Sequence, residues 1–177
     1  LHSIAFANLL EPKPFHETSW KDYAQADRIS CFSLTMMAGR LKEFFNDEAS
    51  VVTVSISDTK ATSYGFLGPI KAALDATVPF LAKSFSEFSK VRFNAVCSGP
   101  LKTSASSGIP GYIDNYLYAE QLTLRKQALK TVEVANSIVF MLAPVSSGIN
   151  GACLTIDAGM DCNYFDQDIV KTVSSHL

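Results

Sequence analysis

Apolar and β-branched positions along the chain alternate between short runs and longer helical spacings. Runs of strand length cover residues 1–7, 51–56, 91–97 and 152–156. Helical spacing covers residues 19–46, 65–89 and 131–143, and Thr18 or Ser19 can cap the first of these helices. Strands that alternate with helices predict a parallel sheet covered by helices. We therefore predict an α/β fold with four strands.

Several segments predict departures from regular structure. The helix over 65–89 is apolar nearly all round, which indicates burial on two sides. Pro79 lies inside this helix, so we expect a kink or a local break there. Residues 104–128 start rich in Ser, Gly and Tyr and then become helical, as a mobile flap would. The residues after Gly159 form a polar tail.

The composition is that of a globular protein with one domain over residues 1–177. The chain has 177 residues, 47% of them hydrophobic and 18% charged, with a net charge of −2. This charge gives no electrostatic reason to expect nucleic acid or an anionic membrane as a partner. No apolar run reaches the roughly 18 residues that span a bilayer. The N-terminal segment lacks a basic leader, so we expect a cytoplasmic protein.

Neither cysteines nor histidines predict a metal site. The cysteines, Cys31, Cys97, Cys153 and Cys162, show no CxxC spacing. They allow two disulfides, but we favour buried free thiols in a reducing cytoplasm. His2, His16 and His176 have no acidic partner at ligand spacing. We therefore expect no metal.

Tyr64 and Lys71 carry the candidate chemistry. They lie seven residues apart, and seven helical steps of about 100° end about 20° short of two full turns, so both side chains should share one helix face. A nearby ammonium favours the phenolate and lowers the phenol pKa from ~10 toward the range of a proton donor. The turn Gly99-Pro100-Leu101-Lys102-Thr103 follows a predicted strand and can hold a dinucleotide. Together these features predict a reductase site.

A glycine-rich phosphate turn of the GxGxxG type is absent from the sequence. A doubly wound nucleotide-binding fold carries that turn after its first strand. Either the chain is not such a fold, or the half with the turn lies outside it.

Five stretches of the chain carry a resemblance to a known family. They are residues 2–7, 29–33, 64–71, 93–103, and a last group formed by 133–137, 148–151 and 156–159. In combination they resemble the C-terminal two-thirds of the short-chain dehydrogenase/reductase superfamily, in its enoyl-acyl-carrier-protein reductase branch. The resemblance implies a Rossmann-like doubly wound parallel sheet, with the N-terminal half (the first three strands and the phosphate turn) outside this chain.

The resemblance also implies roles for individual residues. Tyr64 would donate a hydrogen bond or a proton to the enolate oxygen, and Lys71 would bind the nicotinamide ribose. The backbone at Leu101 would hold the carboxamide, and Thr103 would contact the pyrophosphate. The residues implied to contact the NADH or NADPH cofactor are Ser3, Ile4, Ala5, Lys71, Gly99, Pro100, Leu101 and Thr103. The residues implied to contact the substrate are Ile56, Tyr64, Ala105 and Ile109, with residues 104–124 as a flap.

The implied function is reduction of the enoyl double bond of an acyl-carrier-protein or coenzyme A thioester in fatty-acid synthesis. Ile56 lies where the family has a second tyrosine. Ser55 or Ser57 could replace that tyrosine, although we favour Ile56 as plain core or pocket lining. Two alternatives stay open: a divergent carbonyl reductase and a catalytically silent oligomeric relative.

Two further expectations concern assembly and activity. The apolar helices over 19–46 and 65–89 predict a homodimer or homotetramer. Without a phosphate turn, the chain by itself should bind dinucleotide weakly or not at all and be inactive.

Overall fold

A parallel sheet forms the centre of the molecule. The computed structural model describes residues 1–9, 13–104, 106 and 111–175. Within them, the strands are β1 (Ser50–Ile56), β2 (Arg92–Ser98) and β3 (Cys153–Ile156), in the spatial order β1-β2-β3. Both strand pairs are parallel. The predicted α/β class is confirmed, and the three β-branched runs form strands within about one residue of their predicted bounds.

The first predicted strand is reduced to a single bridge. The His2 amide donates to Val52 O at 2.8 Å, and the Val54 amide donates to His2 O at 3.0 Å. Beyond this bridge the Ser30 hydroxyl bonds both the amide and the carbonyl of Phe6, at 2.9 and 3.0 Å. The prediction of a full strand over 1–7 is therefore wrong, because a side chain takes the backbone groups that a ladder would need.

The first predicted helix forms a continuous but irregular rod. It consists of α1 (Trp20–Asp27), a π-helical turn (Arg28–Phe32), α2 (Ser33–Leu41) and a 3₁₀ turn (Lys42–Phe44). Ser19 caps it, because its hydroxyl accepts a hydrogen bond from the Asp22 amide at 3.1 Å. The predicted extent and cap are confirmed.

The next helix, α3 (Leu67–Phe85), passes through Pro79 without interruption. The predicted local break is therefore wrong. Pro79 has no amide hydrogen, so it cannot donate to the carbonyl of Asp75 four residues earlier. In its place the thiol of Cys153 on β3 lies 3.8 Å from Asp75 O as a donor. A tertiary contact thus replaces the helical hydrogen bond that proline removes.

Three more helices complete the described chain: α4 (Tyr112–Leu122), α5 (Thr131–Leu142) and α6 (Gln167–Ser174). The helix predicted over 131–143 is confirmed. The polar tail predicted after Gly159 contains α6, and Asp166 caps this helix by accepting hydrogen bonds from the amides of Asp168 and Ile169.

The helices cover both faces of the sheet, as in a doubly wound fold. One core packs the rod and α3 against β2, through side chains such as Leu34, Ile70, Leu74 and Phe93. The other packs α5 against the opposite face, through side chains such as Val52, Val96, Val134 and Met141. In the part of the chain that the structure describes, no helix is both long and apolar enough to cross a membrane.

Candidate active site

The candidate site lies where the three strands end. The Ser57 amide donates to Ser98 O, and the Gly99 amide donates to Ile156 O, each at 2.9 Å. A Cβ on Gly99 would lie only 3.0 Å from Cβ of Asp157, so the turn can pack this closely only with glycine. Ile56, the last residue of β1, and the turn that starts at Gly99 therefore share the carboxyl edge of the sheet. In parallel sheets this edge is where ligands bind.

Tyr64 lies on a turn that precedes the helix carrying Lys71. It ends a 3₁₀ turn (Thr62–Tyr64), and Gly65 follows with a φ of +62°, which favours glycine. Helix α3 begins only at Leu67. The prediction of one helix face shared by Tyr64 and Lys71 is therefore wrong, since the turn and not a helical period sets their relation.

The Tyr64 phenol keeps its proton. Burial raises its pKa, and nearby Tyr112 adds to the effect. The predicted lowering of this pKa by Lys71 is wrong here, because burial disfavours the charged phenolate. A protonated phenol is nevertheless the form that can donate a hydrogen bond or a proton.

Lys71 is buried beneath the carboxyl end of β1. Its side chain is 4% exposed, and its Nζ donates to Val54 O at 2.8 Å. Burial lowers the pKa of Lys71, and the Asp75 carboxylate opposes this effect in part. An ammonium has three donors, and among the described residues Val54 O is the acceptor found for one of them. The remaining donors can serve a bound ligand.

Asp75 and Ser55 line the space next to Lys71. Burial raises the pKa of Asp75, while Ser55 and Lys71 hold it down. The Ser55 hydroxyl is buried and, within the described chain, has no partner at full hydrogen-bonding geometry. It faces α3 from inside β1, whereas Ile56 occupies the strand end.

Leu101, predicted to hold a carboxamide, is bonded by a tyrosine. Its amide donates to the Tyr112 hydroxyl, and that hydroxyl donates to Leu101 O, each at 2.9 Å. Tyr112 is the first residue of α4, so the flap region contacts the turn directly. Sequence reasoning missed this residue because the contact joins two segments that have no shared periodicity.

The end of the turn is closed by a serine. The amide of Thr103 donates to the Ser106 hydroxyl at 2.9 Å, and that hydroxyl lies 2.9 Å from Leu101 O. The Thr103 hydroxyl is 3.2 Å from the Ser106 hydroxyl oxygen. Ser106 thus fixes the shape of this turn, which sequence reasoning did not foresee. Ala105 and Ile109, predicted to contact substrate, lie outside the described residues.

The N-terminal residues predicted to contact the cofactor are open to solvent. Ser3, Ile4 and Ala5 follow the bridge at His2 and are exposed. The His2 ring holds this segment to the core through the hydroxyls of Thr53 and Ser33, each at 2.9 Å.

A cleft continues the edge of the sheet toward α4. It runs from Gly99 and Pro100 past Tyr116 to Asp157 and Met160. Asp157, which sequence reasoning took only as part of the last strand motif, accepts hydrogen bonds from the amides of Gly159 and Asp161 at 2.9 and 3.0 Å. It thus shapes the floor of this cleft.

Comparisons with known sequences agree with this geometry. A family model described as enoyl-(acyl carrier protein) reductase matches residues 1–161. The enoyl-acyl-carrier-protein reductase (NADH) FabI of Nostoc sp. is 34% identical over 164 residues, which are 91% of this chain and 63% of that protein. The NADPH enzyme FabI of Staphylococcus aureus is 31% identical over 161 residues, 89% of this chain and 62% of that protein.

Solved structures show the same fold. The crystal structure of FabI from Candidatus Liberibacter asiaticus matches with a TM-score of 0.86 at 25% identity, covering 93% of this chain and 64% of that one. The enzyme from Aquifex aeolicus matches with a TM-score of 0.85 at 27% identity, over 90% of this chain and 63% of that one.

The parallel sheet, with helices on both faces and a site at its strand ends, defines a Rossmann-like α/β protein. Within that class, the chain belongs to the enoyl-acyl-carrier-protein reductase family, since the family model matches nearly its whole length. It spans 62–63% of the length of the two curated relatives described above.

Proposed function

We propose that the whole protein reduces the enoyl double bond of an acyl-carrier-protein or coenzyme A thioester with NADH or NADPH, as a step of fatty-acid synthesis. One observation carries this proposal. The segment that matches the family includes a buried ammonium, Lys71, at the carboxyl end of β1, with a protonated phenol, Tyr64, on the turn just before its helix. The Nostoc relative is named for NADH and the Staphylococcus aureus relative for NADPH.

The residues present fit the reactive end of a nicotinamide cofactor. A carboxamide needs one acceptor for its N–H and one donor for its C=O. The backbone of Leu101 offers an amide donor and a carbonyl acceptor, and the Tyr112 hydroxyl already bonds to both groups. Lys71 keeps donors that can reach ribose hydroxyls. Gly99, Pro100 and Thr103 would line the same turn, and Ser3, Ile4 and Ala5 would contact the adenosine side.

Within this site Tyr64 donates a hydrogen bond or a proton to the thioester oxygen, where negative charge develops. When bound, the cofactor supplies a hydride for the β-carbon of the substrate. Lys71 positions the ribose, and its positive charge stabilises the developing enolate. Ile56 lines the substrate side of the pocket as an apolar residue.

The segment 104–124, which contains α4, acts as a flap over the substrate. Tyr112 bonds Leu101 in the structure described above, so it must withdraw before a carboxamide can occupy the same backbone groups. Closure of the flap then excludes water from the reacting atoms.

The test is turnover by the whole protein. We expect oxidation of NADH or NADPH with crotonyl thioesters of acyl carrier protein or coenzyme A. The loss of cofactor absorbance measures this reaction. Turnover with ketones but with neither thioester would overturn the proposal in favour of a carbonyl reductase. Cofactor binding without any turnover would favour a silent relative.

Tyr64→Phe separates the role of the phenol from general effects. Turnover should fall by about 10²-fold or more, because general acid catalysis contributes at least that factor. The matched control is Tyr164→Phe, since Tyr164 is exposed and lies in the segment before α6. An unchanged rate in Tyr64→Phe would remove Tyr64 from the mechanism.

We propose that the protein is a homodimer or homotetramer that pairs through the rod and α3. The support is exposed aromatic surface on these helices, where Trp20 is 79% and Phe80 77% exposed. Light scattering of the whole protein should show the oligomer, and Phe80→Glu should weaken it while Phe165→Glu, outside these helices, should not. A wild-type monomer would contradict this assembly.

We also propose a cytoplasmic location. Cys31, Cys97, Cys153 and Cys162 are free thiols, which suits a reducing compartment. The prediction that they are buried is wrong for Cys153 and Cys162, which are exposed. Cell fractionation that places the protein in a secreted fraction would contradict this.

A further inference from the structure

Three metal-ligating side chains meet between β2, β3 and α3. The ligand atoms of Asp75, Cys97 and Cys153 all lie within 4.8 Å of one another. The Cys97 sulfur is 4.0 Å from Asp75 Oδ1. Cys97 is buried, whereas Cys153 is exposed, so the cluster can be reached from solvent. A search for CxxC spacing misses it, because the two cysteines lie 56 residues apart and meet only through the sheet.

The strand register disfavours a disulfide between these thiols. Ala95 pairs with Cys153, and Cys97 pairs with Thr155, so the cysteines are diagonal neighbours on adjacent strands. With strands ~4.8 Å apart and a rise of ~3.3 Å per residue, their Cα atoms lie roughly 8 Å apart. A disulfide requires a Cα separation of about 4.4–6.8 Å. Forming it would distort the sheet.

The distances between the ligand atoms suit a cation bound among the three side chains. With Zn–S bonds of about 2.3 Å in a tetrahedral site, two thiolates lie about 3.8 Å apart. A carboxylate oxygen at ~2.0 Å from the metal lies about 3.5 Å from each sulfur. The Cys97-to-Asp75 distance of 4.0 Å therefore needs to shorten by only about 0.5 Å, which a side-chain rotation can supply.

Two further oxygens near the cluster lack ordinary partners. The Asp75 carbonyl has no helical donor because Pro79 has no amide hydrogen, and it faces the Cys153 sulfur at 3.8 Å. The buried Ser55 hydroxyl, beside Asp75, has no partner at full hydrogen-bonding geometry within the described residues. The thiol is the donor found for Asp75 O. Buried polar groups are normally satisfied, so the unpartnered Ser55 hydroxyl points to a group that completes this site.

The charges around the cluster are also compatible with a cation. Two thiolates and one carboxylate around a divalent cation leave one negative charge. The nearby Lys71 ammonium, which interacts with both Asp75 and Cys97, balances it.

We propose that Asp75, Cys97 and Cys153 form a binding site for a thiophilic divalent cation of the Zn²⁺ or Cd²⁺ type. The two thiols each release one proton, the cation binds two thiolates and one carboxylate, and no electron is transferred. Asp75 O, the Ser55 hydroxyl or a water molecule takes the fourth position. The site lies on the α3 side of the sheet, next to the buried Lys71.

The test is calorimetric titration of the reduced, metal-free whole protein with Zn²⁺ and with Cd²⁺. We expect one ion per chain, release of about two protons per ion, and thiolate-to-cadmium charge-transfer absorption. Cys153→Ser should weaken binding at least about 100-fold, since even the partners of metal ligands are worth 10- to 100-fold. Cys162→Ser is the control, because this exposed thiol lies outside the cluster.

Three results would overturn the proposal. The first is no thiol-dependent binding in the wild-type protein. The second is binding that Cys162→Ser abolishes and Cys153→Ser leaves intact. The third is a mass loss of two hydrogens that links the peptides of Cys97 and Cys153, which would show a disulfide. Thermal melts of both variants confirm folding, and Asp75→Asn, expected to weaken binding at least 10-fold, separates carboxylate ligation from binding by thiols alone.

Discussion

Two buried cations lie toward opposite ends of the strands and are held in opposite ways. At the amino end of β2, Arg92 donates to Ser146 O at 2.8 Å, to Ile149 O at 3.0 Å and to Ala143 O at 3.3 Å. Near the carboxyl end of β1, Lys71 donates to Val54 O. Their exposed fractions are similar, 7% and 4%. Arg92 therefore serves the structure, since backbone carbonyls satisfy its charge, while Lys71 keeps donors for a ligand.

The largest effect that we expect on stability comes from Arg92→Met. This change removes three hydrogen bonds from a charged donor, at about 1–1.5 kcal/mol for each bond. Each carbonyl keeps at least one other donor. Urea unfolding of the whole protein should show a loss of about 4 kcal/mol. A loss below about 1 kcal/mol would show that Arg92 does not hold the loop between α5 and β3.

Lys71→Met should behave in the opposite way. Turnover should fall at least about 100-fold, because a preorganised charge at the reacting oxygen is lost. The free energy of unfolding should rise or fall by less than about 1 kcal/mol, because replacing a buried charge with an apolar group of similar volume is often neutral or stabilising. A loss of stability as large as that for Arg92→Met would erase the distinction between the two cations.

The pH dependence of stability sharpens the same comparison. Burial lowers the pKa of Lys71 below its ordinary value of 10.5. Between the folded and unfolded pKa values the unfolded chain holds the proton and the folded chain does not, so stability rises with pH in that window. The unfolding free energy of the wild type minus that of Lys71→Met should therefore increase as the pH rises toward 10.5. A pH-independent difference would contradict the lowered pKa.

The smallest effect is expected at Tyr112, on the assumption that a carboxamide binds Leu101. Tyr112→Phe removes the hydroxyl that bonds both backbone groups of Leu101. Affinity for NADH or NADPH should then rise by about 3- to 10-fold, which corresponds to about 1 kcal/mol of lost competition. Tyr118→Phe, an exposed position on the same helix, is the control. Weaker binding in Tyr112→Phe would show that this hydroxyl supports the cofactor site.

Local sequence patterns predicted most of the helices and strands but not the turns that connect them. The strand Ser50–Ile56 and the helix Thr131–Leu142 form where the sequence predicts them. The reason is that the spacing of apolar residues marks which face of an element is buried. The position of Tyr64 could not be predicted in this way, since Gly65 turns the chain before α3 begins. Its pKa also moved against expectation, because burial depends on packing that sequence spacing does not encode.

Sequence alone was enough to predict the α/β class, the strand-end turn at Gly99 and the family motif that contains Tyr64 and Lys71. These features follow from the spacing of apolar residues, turn chemistry and side-chain type, which are local properties. The different roles of Lys71 and Arg92, and the meeting of Cys97 and Cys153 beside Asp75, emerge only in the folded chain. Those facts depend on parallel pairing between strands far apart in the chain, and this pairing brings together side chains that share no local pattern.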